Sequence, residues 1–66
     1  MVRGGHRTLV DYPGGDSKVI TLYVVPTEGQ IIAHGWQVTR VAAAGRESGF
    51  PVDYRISVAR PASEAR

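Results

Sequence analysis

The chain has 66 residues, of which 42% are hydrophobic and 21% charged, with a formal net charge of +2 and no cysteine. This apolar fraction is ordinary for a globular domain, and the absence of cysteine excludes disulfide bonds and thiol chemistry. A domain this short buries only about 60% of its extended surface, so association with other chains is the favoured source of added stability.

The sequence predicts neither a membrane helix nor a signal peptide. No apolar run approaches the roughly 20 residues that a membrane helix requires. Residues 1–7 are basic, but no apolar stretch follows them, so no signal peptide is predicted. These patterns predict a single domain over 1–66, intracellular or contained within a particle, with flexible ends at 1–6 and 62–66.

The first predicted strand covers 7–12 and places Thr8, Val10 and Tyr12 on one face. The strongest turn signal of the chain, Pro-Gly-Gly-Asp-Ser, follows at 13–17. Proline fixes φ and glycine accepts positive φ, so this segment predicts a tight reversal of the chain.

The second predicted strand covers 18–25 and is apolar on both faces. One face carries Ile20, Leu22 and Val24, and the other carries Val19, Tyr23 and Val25. Such a strand is either central in a sheet or meets another chain with its second face. We therefore predict that the second set forms an association face, and that Pro26 ends the strand because it lacks an N–H group.

The middle of the chain allows two interpretations. A helix near 28–44 is favoured by Thr27 and Gln30, which have the spacing of a capping box. Against it, Gly29 and Gly35 each cost about 1 kcal/mol in a helix relative to alanine, and the many β-branched residues prefer strands. We favour the strand, with Gly29 completing the turn before it. The strand places three side chains on one face: Ile32, Trp36 and Val38.

The last predicted strand, 52–60, alternates apolar and polar residues and is typical of a half-buried strand that Pro61 ends. The chain is thus predicted to be all-β, as a four-stranded antiparallel meander or a partly open barrel, with ββαβ as the alternative. The predicted core comprises Ile20, Leu22, Val24, Trp36, Val38, Tyr54 and Ile56.

Motifs that carry chemistry are scarce. His6 and His34 are the only histidines, and they lack the spacing of metal ligands. Asp11 and Asp53 are the best candidates for an acid–base pair, but so small a sheet seldom encloses the pocket that catalysis needs. We therefore predict no enzymatic activity, no cofactor and no metal site.

The main prediction is a non-enzymatic structural or interaction protein that forms a homo-oligomer or docks on a larger assembly, such as a viral decoration or connector component. The alternative is a small basic β-barrel that binds RNA or single-stranded DNA, which the charge of +2 permits but does not require. Its binding residues would be Arg3, Arg7, Trp36, Arg40, Arg55 and Arg60. No membrane partner is predicted.

Overall fold

The computed structural model describes residues 4–47 and 49–61. Seven strands occur in these residues: β1 His6–Asp11, β2 Ser17–Leu22, β3 Ile31–Ile32, β4 Trp36–Ala43, β5 Arg46–Glu47, β6 Phe50–Pro51 and β7 Tyr54–Ala59. A 3-10 turn at Ala33–Gly35 separates β3 from β4. No α-helix occurs in the part of the chain that the structure describes, so the all-β class is confirmed. Of the predicted flexible ends at 1–6 and 62–66, residues 1–3 and 62–66 lie outside the described residues, and His6 begins β1.

Five of the strands form one mixed sheet in the order β2-β1-β7-β4-β3, which curves into an open half-barrel. β1 pairs antiparallel with β2 and parallel with β7, and β7 pairs antiparallel with β4. β5 and β6 form a separate hairpin. The partly open barrel is therefore as predicted, whereas the order differs from a simple meander. The last strand inserts between β1 and β4, where both of its edges are hydrogen-bonded.

β2 lies at the edge of the sheet, so the interpretation of this segment as a central strand is wrong. It also ends at Leu22 rather than at Val25. Its only neighbour among the described strands, β1, begins at His6, which is paired with Leu22. Gly4 adopts a positive φ of 80° and turns the backbone out of the extended conformation. Residues 23–25 have no β1 residue beside them to continue the ladder, and the backbone bends at Tyr23 and Val24.

The core lies on one face of the half-barrel, here called the core face. The buried cluster consists of Val10, Ile32, Val38, Ile56 and Val58. Partly buried side chains pack against this cluster: Tyr12, Ile20, Leu22, Trp36 and Val41. The assignment of Val24 to the core is wrong, because this residue lies beyond the end of β2 and is exposed. Tyr54 is only half-buried and packs edge-on against the His6 ring at 5.6 Å.

The structure contains two of the turns that the sequence predicts, one between β1 and β2 and one before β3. Gly14 and Gly15 both have positive φ in the turn between β1 and β2. Gly29 has φ of 89°, and its N–H donates to the Val38 carbonyl at 2.7 Å. Thr27 and Gln30 do not cap a helix; the Thr27 N–H donates to Gln30 Oε1 at 2.9 Å and closes the turn before β3.

Candidate functional site

The free edge of β2 is the longest unpaired strand edge among the residues that the structure describes. The opposite edge of the sheet is formed by β3, which has only two residues, and by the part of β4 that β3 does not reach. Natural sheets protect their edges with short strands, charges, prolines or bulges. Along β2 the only charged residue is Lys18, and the strand contains no proline. This edge is therefore a template on which another strand can pair.

The predicted association residues lie at this edge, on the outer face of the sheet, opposite the core face. Val19 pairs with Leu9 and is 43% exposed. A Cβ atom placed on Gly5 would lie 2.6 Å from Thr21 Cγ2 and 3.0 Å from Tyr23 Cε1. Thr21 and Tyr23 thus lie together beside Gly5. Val25 is exposed but lies outside the strand, so it is not aligned with Val19 in this fold.

The exposed apolar surface continues past the end of β2. Tyr23, Val24 and Val25 are 65%, 56% and 51% exposed, respectively. Three consecutive exposed apolar residues beside a free strand edge are unusual on a monomer surface. The sequence indicates that this segment is apolar. Val24 was predicted to lie in the core because the predicted strand continues through Val25.

Phe50 extends this surface and was not predicted from the sequence. It lies on β6 and is exposed. Together with Arg7 and Val19 it lines a shallow depression of about 390 Å³. A two-residue strand has no readable periodicity, so the sequence offered no signal that would place Phe50 beside β2.

Three of the arginines predicted to bind nucleic acid lie on β1, β4 and β7, and two of them line one depression of the outer face. Arg40 and Arg55 line it with Asp11, and its volume is about 410 Å³. Arg55 Nε donates to Asp11 Oδ2 at 2.8 Å, which offsets part of the positive charge. Arg7 lies on β1, and its neighbour on β2 is Thr21. Arg3 lies outside the described residues.

Arg60 and Trp36 lie apart from these, at the end of the sheet that holds the turn between β1 and β2. The Arg60 guanidinium carbon lies 4.0 Å from the centre of the Trp36 ring. Arg60 Nη1 also donates to the His34 carbonyl at 2.6 Å. The Tyr12 ring meets Trp36 edge-on at 5.2 Å. The described members of the predicted nucleic-acid set therefore do not form one surface.

The carboxylates that were candidates for acid–base chemistry take part in structural contacts. Asp11 pairs with Arg55, and Asp53 Oδ2 accepts a hydrogen bond from the Arg7 N–H at 3.1 Å. Over 4–47 and 49–61, no three His, Cys, Asp or Glu side chains are grouped so that they could hold a metal ion. No helix in these ranges is long and apolar enough to cross a membrane.

No family model, no curated protein and no solved structure matches this chain. The case for its function therefore comes from the surfaces described above.

Proposed function

We propose that this protein is a non-enzymatic interaction module that self-associates through the free edge of β2. The observation that carries the proposal is that β2 ends at Leu22, although its β-forming sequence continues through Val25. Tyrosine and valine are among the residues that most favour strands. A second strand beside β2 would supply the backbone partner that β1 does not provide, and the joined strand would end naturally at Pro26, which has no N–H group.

The partner strand that best fits this edge is β2 of a second copy. Pairing of a segment with itself about a twofold axis is antiparallel and isologous, as in most homodimers. If the axis is perpendicular to the sheet, both outer faces stay on one side. Opposed residues then share a face, so both must have odd numbers or both even numbers. Full overlap of 17–25 with its copy requires the bends at Tyr23 and Val24 to become extended on pairing, and it places the axis at Thr21.

This register opposes compatible side chains around the axis. Thr21 faces its own copy, Val19 faces Tyr23 of the partner subunit, and Ile20 faces Leu22 of the partner subunit. Aromatic–β-branched and Thr–Thr pairs are favourable cross-strand neighbours, each contributing about 0.2–1 kcal/mol. Lys18 faces Val24 of the partner subunit, so no like charges are opposed. A nine-residue overlap also covers the exposed apolar stretch at 23–25 with backbone and side chains.

The shape of the chain supports the need for a partner. The molecule measures 37 × 30 × 16 Å, and its Cα radius of gyration is 12.0 Å. A compact domain of this length has a radius of gyration of about 11 Å. The thin dimension reflects a core built on one face of one sheet, where Ile20, Leu22 and Trp36 are only partly buried. Joining two sheets edge to edge makes the core continuous across the axis.

The experiment is a mass measurement by size-exclusion chromatography with light scattering over a range of concentrations. The wild-type protein is expected at twice 7.1 kDa. Thr21→Lys opposes two like charges at the axis and is expected to give a folded monomer. Tyr23→Glu, which removes the partner of Val19, is expected to act in the same direction.

Ile31→Lys is the matched control, because Ile31 is an exposed apolar residue on β3, the other edge of the sheet. It is expected to leave the dimer intact. A wild-type monomer at every concentration, or a Thr21→Lys variant that keeps the dimer mass, contradicts the proposal. A monomeric Ile31→Lys variant would assign the interface to the wrong edge. Membership of a larger particle stays a prediction.

A further inference from the structure

A groove at the end of the sheet lies between the turn that joins β1 to β2 and the 3-10 turn that precedes β4. Its volume is about 490 Å³. It is lined by Tyr12, Pro13, Asp16, Ser17, Lys18, His34 and Trp36. Sites for small molecules commonly occupy about 300–1,000 Å³. We call it the end groove. The self-association proposed above shares Ser17 and Lys18 with the groove and involves none of its other five lining residues.

We propose that the end groove binds a nucleotide unit of single-stranded nucleic acid, with the base against the aromatic wall and the phosphate held by Lys18 and Arg60. This assignment differs from the surface that the sequence predicted. It keeps Trp36 and Arg60, adds Tyr12, Lys18 and His34, and leaves out the arginines of the outer face.

The aromatic wall of the end groove is held in place before any ligand arrives. The Arg60 guanidinium lies over the Trp36 ring, and the Tyr12 ring meets Trp36 at an interplanar angle of 68°. Both rings are half-buried, so each is anchored in the core while part of it faces the groove. Preorganised aromatic rings are the usual platforms on which bases stack, largely independent of base identity.

The charges around the end groove favour an anion. Lys18 lies in the groove wall, and Arg60, which does not itself line the groove, lies against the Trp36 ring that does. Asp16 is the only carboxylate among the residues that line the groove. The Arg60 Nη1–H group donates a hydrogen bond to the His34 carbonyl, and the guanidinium has further N–H donors that suit phosphate oxygens. Stacking surface and cations together match a nucleotide better than an uncharged peptide.

The backbone at the rim of the groove is in an unusual conformation. His34 is the only non-glycine residue among those described that has a positive φ, at 66°. Such conformations are uncommon outside glycine and cluster at ligand sites. The hydrogen bond from Arg60 to the His34 carbonyl holds this turn. The strained turn presents the exposed His34 side chain to the groove next to Trp36.

The outer face is a weaker phosphate surface than the end groove. Its depression holds Arg40 and Arg55, but Asp11 lies within hydrogen-bonding distance of Arg55 and offsets its charge. No aromatic ring lines that depression. Arg40 therefore serves as the matched control for Lys18: both are exposed cations on strands of the same sheet, and only Lys18 lines the aromatic groove.

In the experiment, labelled oligo(U) and oligo(dT) are titrated with the full chain, and binding is followed by fluorescence anisotropy. The salt concentration is about 50 mM, because phosphate contacts are strong at low salt. Trp36 is the only tryptophan, so its emission reports directly on the groove. We expect binding of both oligomers, quenching of Trp36 and an affinity that falls as salt rises. A parallel arm with UMP and with inorganic phosphate distinguishes a strand from a free nucleotide or a simple anion.

Variants locate the site. Lys18→Gln is expected to weaken binding severalfold and to lower the slope of log K against log[salt] by about 1. Trp36→Phe keeps an apolar ring in the wall and is expected to weaken binding with less effect on that slope. Arg40→Gln is expected to leave both quantities unchanged. Each variant is compared with wild type by circular dichroism and by mass, so that loss of fold or of association is recognised.

Two results overturn the inference. One is the absence of binding to either oligomer at low salt while the protein is folded. The other is an equal loss of affinity in Lys18→Gln and Arg40→Gln, because that result assigns binding to diffuse charge. The Tyr23→Glu variant, which adds no cation, separates this proposal from self-association: a monomer that still binds the oligomers supports the groove whatever the oligomeric state of the wild type.

Discussion

Gly5 shows at the scale of single residues how closely the chain is packed beside the edge strand. A Cβ atom there would lie 2.6 Å from Thr21 Cγ2, closer than such atoms approach in folded proteins. Gly45 provides the contrast, since nothing lies within 4 Å of the Cβ atom that it would gain. Neither glycine has a positive φ, so the two differ in packing and not in backbone strain.

Gly5→Ala is therefore expected to lower the free energy of unfolding by about 1 kcal/mol, the lower end of the usual cost of overpacking. Gly45→Ala is expected to be neutral or to stabilise the fold by up to about 1 kcal/mol, because alanine restricts the unfolded chain. Urea unfolding followed by circular dichroism measures both. Equal effects of the two substitutions would show that the space beside Thr21 is not limiting.

The bulge in β4 shows why single positions were harder to predict than strands. The pairing with β7 shifts between Val38 and Arg40, and Thr39 Oγ1 donates to the Ser57 carbonyl at 3.2 Å. The extra residue lets Val38 and Val41 both pack on the core. Strict alternation would put them on opposite faces. Nothing local in the sequence marks this position, because a bulge is set by the partner strand.

At the scale of elements, prediction succeeded where the signal was local and failed where it was not. The turn at 13–17 and the alternation over 52–60 located one hairpin and the last strand correctly. The placement of β7 between β1 and β4 depends on pairing between the two ends of the chain, which no short pattern records. The end groove was not predicted for the same reason, because it combines residues around the turn after β1 with residues around the turn before β4.

The truncated end of β2 leads to a prediction at this scale. If a second copy pairs with β2, the amides of 23–25 gain backbone partners and exchange more slowly with deuterium. Hydrogen exchange is expected to show protection of this segment that increases with protein concentration, while the segment at 31–32 on the other edge does not change. Exchange at 23–25 that is fast and independent of concentration would show that these residues stay outside any interface.

At the scale of the whole molecule, the two proposed surfaces meet at Ser17 and Lys18, which begin β2 and line the end groove. The association edge runs along β2, with its apolar extension at 23–25, whereas the end groove lies beside the turn at 13–17. In the proposed register the axis passes through Thr21, so a dimer carries one end groove on each side of the axis. A strand of nucleic acid that reached both grooves would bind more tightly than one held in a single groove, through effective concentration.

Association also makes a thermodynamic prediction for the whole molecule. A core built on one face of one sheet leaves a short chain close to its stability limit, and any partner that binds only the folded state raises the melting temperature by mass action. The melting temperature of the wild type is therefore expected to rise over about a hundredfold increase in concentration. Thr21→Lys is expected to melt at a lower temperature, which does not depend on protein concentration.

Thermal melts followed by circular dichroism measure these melting temperatures, and Ile31→Lys is the control that is expected to keep the concentration dependence. A wild type of dimeric mass whose melting temperature is constant would mean that the interface forms without stabilising the fold, and the argument from the thin core would then be wrong.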